Sequence, residues 1–174
     1  MTTIFETAIT NIKQSTNQTI SDCQLFAKHG SSRAMLAVTL TTDPTKLDFK
    51  RLGMFKTDML MKRELNYLHC KLNDKAYGNN WRRKNLSADI FAIREEKSGH
   101  PHIHMAIALE NPTYASFISE YVKDVWVNTP IGGDFNHVTL IDDAEGWIDS
   151  CFKHVKNIDT DAIYACKRVI DLNI

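Results

Sequence analysis

Residues 99–109 read GHPHIHMAIAL. His102 and His104 stand two apart, and a β-strand would place both on one face. Two imidazoles so placed can chelate a divalent ion if a third ligand arrives from elsewhere. Glu95 and Glu96 close the preceding segment ADIFAIRE and its acidic end, so either could bring a carboxylate across a short loop. Mixed nitrogen and oxygen ligation suits Mn or Mg, and also Zn. His-x-His also occurs by chance on exposed strands, so the pair alone leaves both readings open.

The elements that would position the pair follow from periodicity. On the histidine strand, Ala106 and Ala108 share the face of His102 and His104, which predicts a face open to approach. Ile103, Met105, Ile107 and Leu109 form an apolar face that belongs against a helix. AMLAVTLTT (34–42) and ADIFAIRE (88–95) also read as strands, and NHVTLID as a fourth. The six residues between the second and third strands make a β-hairpin the natural pairing. Helices are predicted over 2–13, over 46–72, from Pro112 to about Trp126, over AEGWIDSCFKHVKN (144–157) and over DAIYACKRVIDL (161–172). The order is β-α-β-β-α-β-α with an extra helix at each end. The expected class is α+β, a ferredoxin-like split βαβ antiparallel sheet with flanking helices.

The chain has 174 residues, enough for one domain (1–174) with its core at about 34–156. Lys plus Arg and Asp plus Glu number 21 each, so a non-specific polyanion binder is disfavoured while a local basic patch is allowed. Cys23, Cys70, Cys151 and Cys166 are too scattered for a zinc ribbon or a disulfide framework, and free thiols point to the cytoplasm. No apolar run is long enough for a membrane span. No Walker loop or dinucleotide fingerprint is present.

The stretch REEKSGHPHIHMAIAL resembles the second motif of the HUH endonucleases, which include the rolling-circle replication initiators and their relaxase and transposase relatives. Gly99, Pro101, His102, Ile103 and His104 carry the likeness, and LAVTLTT resembles the weaker first motif. The resemblance spans roughly residues 34–156. It implies a plasmid or viral protein that nicks single-stranded origin DNA with a divalent metal. Nicking in this family proceeds through a tyrosine that becomes joined to the 5′ phosphate.

The family's third motif, Tyr-x-x-Lys on the helix after the fourth strand, departs here. Lys153 fits, but three residues earlier stands Ser150. Tyr164 and Lys167 have the right spacing one helix too late. Three readings stay open: Ser150 fills the tyrosine's slot and the nucleophile is absent; Tyr164 folds back over the site with Lys167; or the domain only binds DNA. The densest basic cluster, NNWRRKN, offers Trp81 to stack on a base and Arg82, Arg83 and Lys84 to hold phosphates, with Lys62, Arg63, Lys71 and Lys75 as an extension. A solvated loop around a packing tryptophan is the ordinary alternative.

Overall fold

A computed structural model describes residues 34–97, 100–143, 146–147, 150 and 163–166, with the backbone alone for 96–97 and 163–166. The expected helices over 2–13 and most of 144–157 lie outside these residues. The fold is α+β, an antiparallel sheet with helices packed on it. The strands are β1 (Ala34–Thr41), β2 (Asp89–Lys97), β3 (His100–Leu109), β4 (His137–Ile141) and β5 (Ile163–Cys166), in the spatial order β4-β1-β3-β2-β5. Every neighbouring pair is antiparallel. β1 and β2 therefore flank β3, although a helical crossover separates them in sequence.

The fifth strand corrects the last predicted helix. Residues 163–166 pair with β2, from Ile93 opposite Ile163 to Ile90 opposite Cys166. A short continuous apolar run fits a strand or a helix equally well by periodicity, and the open edge of β2 offers it ladder hydrogen bonds. The hairpin is also tighter than expected, because pairing persists to Lys97 opposite His100.

The long helix predicted over 46–72 is two helices, α1 (Phe49–Leu52) and α2 (Met54–Tyr77). Asp48 caps α1 by accepting from Arg51 N, and Gly53, at φ +79°, takes a left-handed turn that L side chains resist. Met54, Phe55 and Met59 are exposed, and the buried apolar stripe starts at Met61 and continues through Leu65, Leu68 and Leu72. Asn111 caps the turn at Pro112–Tyr114 that leads into α3 (Ala115–Val127), whose Ile118, Val122 and Trp126 are buried at helical spacing.

Helices α2 and α3 share one core cluster with Leu36, Val38, Leu40, Ile90, Ile103, Met105, Ile107 and Leu109. The opposite sheet face is buried too. Met35, Ala37, Phe91, Ile93, Ala106 and Ala108 are at most 3 % exposed, so the alanine face is not open as expected. Accessibility returns only toward the His102 end.

Loop 128–136 is tied to the end of β1. Trp126 Nε1 donates to Thr41 O (2.7 Å), Gly133 N to the same oxygen (2.8 Å), and Asn136 Oδ1 accepts from Thr41 N (3.0 Å). Lys46 Nζ donates to the carbonyls of Val127 (2.6 Å), Thr129 (3.3 Å) and Gly132 (2.8 Å). A Cβ on Gly132 would stand 1.8 Å from Trp126 O, so the close approach admits no side chain.

Asp58 of α2 pairs with Arg94 of β2, their side chains 6 % and 9 % exposed. The pair locks helix to strand one residue before Glu95. Asp58→Ala strands a buried guanidinium and should cost about 3–5 kcal/mol in urea unfolding, whereas Asp58→Leu with Arg94→Met should cost clearly less. Equal losses in the two proteins would mean that the ion pair is not what the site depends on.

Candidate functional site

The site begins with alternation along β3. Burying Ile103, Met105 and Ile107 under the helices obliges His102 and His104 to point to the other face. Register then fixes their company. Glu95 and Thr41 lie opposite His102, on β2 and β1, while Ile93 and Thr39 lie opposite His104. Antiparallel partners project to the same face, so Glu95 joins the histidines. His104 Nε2 is 2.8 Å from Glu95 Oε2, and His104 Nδ1 is 3.3 Å from Thr39 Oγ1. In the neutral ring this arrangement puts the proton on Nε2 and leaves Nδ1 as acceptor. The two imidazoles meet edge to face, with centroids 6.2 Å apart. His104 and Glu95 are 21 % and 20 % exposed, sheltered but reachable.

Trp147, in helical backbone, stacks edge-on against His104 at 6.2 Å. Its Nε1 is buried and finds no hydrogen-bond partner among the described residues, and the same holds for Thr41 Oγ1 across from His102. Buried donors in folded proteins are nearly always satisfied. Two orphaned donors flanking one histidine pair form a site short of acceptor oxygens.

The donor set fits a divalent ion in kind: two imidazoles and a carboxylate on one face. Among the described residues no three His, Cys, Asp or Glu side chains already converge as a metal-binding group. What stands is the hydrogen-bonded His104–Glu95 pair with His102 beside it. The side chain of Glu96, the alternative ligand, lies outside the described residues, and its backbone pairs with Pro101 rather than with a histidine.

Ser150 is helical and half-buried, three residues past Trp147. Lys153 and Lys167 lie outside the described residues. Tyr164 sits in β5 with its backbone opposite Ala92, so the helical i, i+3 spacing that joined it to Lys167 does not apply. His137 went unnoticed in the sequence. It lies opposite Thr39 and so completes a cross-sheet row with His104. Only the β1–β4 register could have revealed this.

The basic cluster is not at the histidines. Trp81 is buried, its Nε1 donating to Asp74 Oδ1 (2.9 Å), with His69 edge-on at 6.0 Å and the Arg82 guanidinium 4.3 Å from the ring. It is a packing tryptophan, and the base-stacking expectation for it is corrected. Burial holds the neighbouring His69 below the ordinary histidine pKa, and its Nε2 lies 2.9 Å from Ala88 O. Arg82, Arg83 and Lys84 are exposed on the turn before β2. Asp89 and Glu95 are six residues apart on that strand, which sets the turn about 20 Å from the histidine end. Of the suggested extension, Lys71 lies over the Tyr67 ring, Lys75 over Tyr121, and Arg63 pairs with Glu64.

No helix among the described residues is long and apolar enough to cross a membrane. Comparison with protein families, with curated proteins and with solved structures finds no match.

If the histidine face takes Mn²⁺, a hundredfold excess over Kd should add about 2.7 kcal/mol, or about 5–10 °C in melting temperature. The His102→Ala, His104→Ala double variant should melt normally without metal and show none of this shift; a shift of the same size there would place the ion elsewhere. For the basic turn, replacing Arg82, Arg83 and Lys84 by alanine should weaken oligonucleotide binding and reduce the slope of log K against log salt by up to about 2 to 3. An unchanged slope would remove this turn from the DNA path.

Proposed function

We propose that this chain is an HUH-type domain that binds single-stranded DNA and derives from the nicking enzymes of rolling-circle replication. The observation that carries the reading is the histidine pair, with Glu95 on its face and two unsatisfied donors beside it. The strand order supports it as well: β3 lies between β1 and β2, as in a split βαβ sheet, and presents the pair from the middle of the sheet.

His102, His104 and Glu95 would hold a Mn or Mg ion, which as a Lewis acid supplies polarisation of the scissile phosphate. Thr41 Oγ1 and Trp147 Nε1 would donate to non-bridging phosphate oxygens, satisfying both orphans at once. Glu95 orients His104 through Nε2, as an outer carboxylate does at many metal sites, or ligates directly. Lys153 would offset the phosphate charge.

In the family's chemistry a tyrosine oxygen forms a bond to phosphorus as the P–O3′ bond breaks. The phenolic proton ends on the released 3′ oxygen, and that hydroxyl can prime a polymerase. Ser150 occupies the tyrosine's slot here. Trp147 already faces His104, and residues three apart are neighbours on a helical face, which favours position 150 over Tyr164. A serine is shorter and less acidic than a phenol, and no general base is assigned to it. The chain would then retain DNA binding and lack the nucleophile. The second reading, a DNA-binding domain that never cleaves, rests on that same serine.

The test is a nicking assay on single-stranded origin DNA with Mn²⁺. The unaltered chain should give no covalent adduct. Ser150→Tyr should yield one that survives denaturing electrophoresis and disappears with chelator, and adding Tyr164→Phe should leave it intact. An adduct formed by the unaltered chain and abolished by Tyr164→Phe would make Tyr164 the nucleophile.

A further inference from the structure

Beside the histidines, at the ends of β1 and β3, lies an open cleft of about 580 Å³. That is within the range of sites that take small organic groups. His102 lines it and so belongs to both the cleft and the histidine pair. Thr41, with its orphaned hydroxyl, lines it too, together with Asp43, Asp134 and Phe135.

Two features determine what could enter. Among the described residues no lysine or arginine lines the cleft, while two carboxylates do, so their lining disfavours a phosphate there and favours a hydrogen-bond donor. Phe135 is 88 % exposed, a whole aromatic face left in water at the rim. Such a ring on a loop pinned to the sheet by Asn136 and Gly133 is a stacking platform held in place.

We propose that this cleft is a subsite for one unpaired, amino-bearing nucleobase, stacked on Phe135 and read by Asp43 and Asp134. The proposal rests on the single-strand reading given above and adds to it where a base lies and which bases are preferred. Cytosine and adenine present exocyclic amines that a carboxylate can accept from, and thymine does not. Asp43 is suited to this: Thr45 N (2.8 Å) and Thr45 Oγ1 (2.7 Å) both donate to its Oδ1. Those bonds hold its pKa below the ordinary carboxylate value, so it stays an anionic acceptor at neutral pH. Thr41 Oγ1 lies where cleft and histidines meet, so its one proton stays with the phosphate while the two carboxylates read the base. With His102 shared, a base seated here leaves its phosphate beside the histidines.

The experiment measures binding of the full chain to short labelled oligo(dC), oligo(dA) and oligo(dT) by fluorescence anisotropy, without metal. Oligo(dC) and oligo(dA) should bind more tightly than oligo(dT). Phe135→Ala removes only an exposed ring and should weaken both about tenfold or more, as loss of one stacked base does. Asp43→Ala with Asp134→Ala removes both acceptors and should abolish the preference over oligo(dT), whatever it does to overall affinity. Binding that is unchanged in Phe135→Ala, or a preference that survives in the double variant, overturns the subsite and leaves the single-strand reading standing. Binding of none of the oligonucleotides overturns both.

Discussion

Everything at the site depends on the two-residue period of β3. The strand is central, bonded to β1 on one side and β2 on the other, so it cannot slip by one residue without breaking two ladders. Its odd-numbered residues, Ile103 to Leu109, are fully buried beneath α2 and α3. A one-residue shift would carry four large apolar side chains out of the core and two imidazoles into it. The hydrophobic effect on one face therefore fixes polar geometry on the other to within the accuracy of a hydrogen bond. His102 and His104 need no local device of their own to hold them.

The same logic explains what was legible in the sequence. Alternation in HIHMAIAL gives the face of the histidines, and a hairpin with ADIFAIRE brings Glu95 near them. Glu95 rather than Glu96 on that face follows from register, which the order of residues does not contain. His137 was invisible for the same reason: its place beside Thr39 exists only once β4 pairs with β1. IYAC was ambiguous because four apolar residues in a row have no period, and the deciding factor was an unpaired edge on β2. Trp81 misled because a basic, aromatic turn looks alike whether its ring faces solvent or packs on His69. The buried alanine face misled because the pattern of one strand does not tell what covers it.

The polar chemistry of the described residues divides by location. One end of the sheet gathers the histidine pair, Glu95, the orphaned donors and the acid-lined cleft. The other end of β2 carries the exposed arginines of residues 82 and 83. Carboxylates stand at both ends, Asp74 beneath Trp81 and Asp89 at the start of β2 among them, so the division is in the kind of group rather than in net charge.

Lys46 has a consequence for how the surface is counted. Its ammonium is a tripod, and three carbonyl oxygens, those of Val127, Thr129 and Gly132, take its three hydrogens. A guanidinium presents a flat fork and could not meet three oxygens converging on one point, so arginine at this position would keep the charge and lose the knot. The knot also consumes the charge. Lys46 lies near the cleft in sequence, yet its hydrogens are already taken by the last residue of α3 and the loop that follows it. To an arriving phosphate it is part of the wall rather than a hand held out.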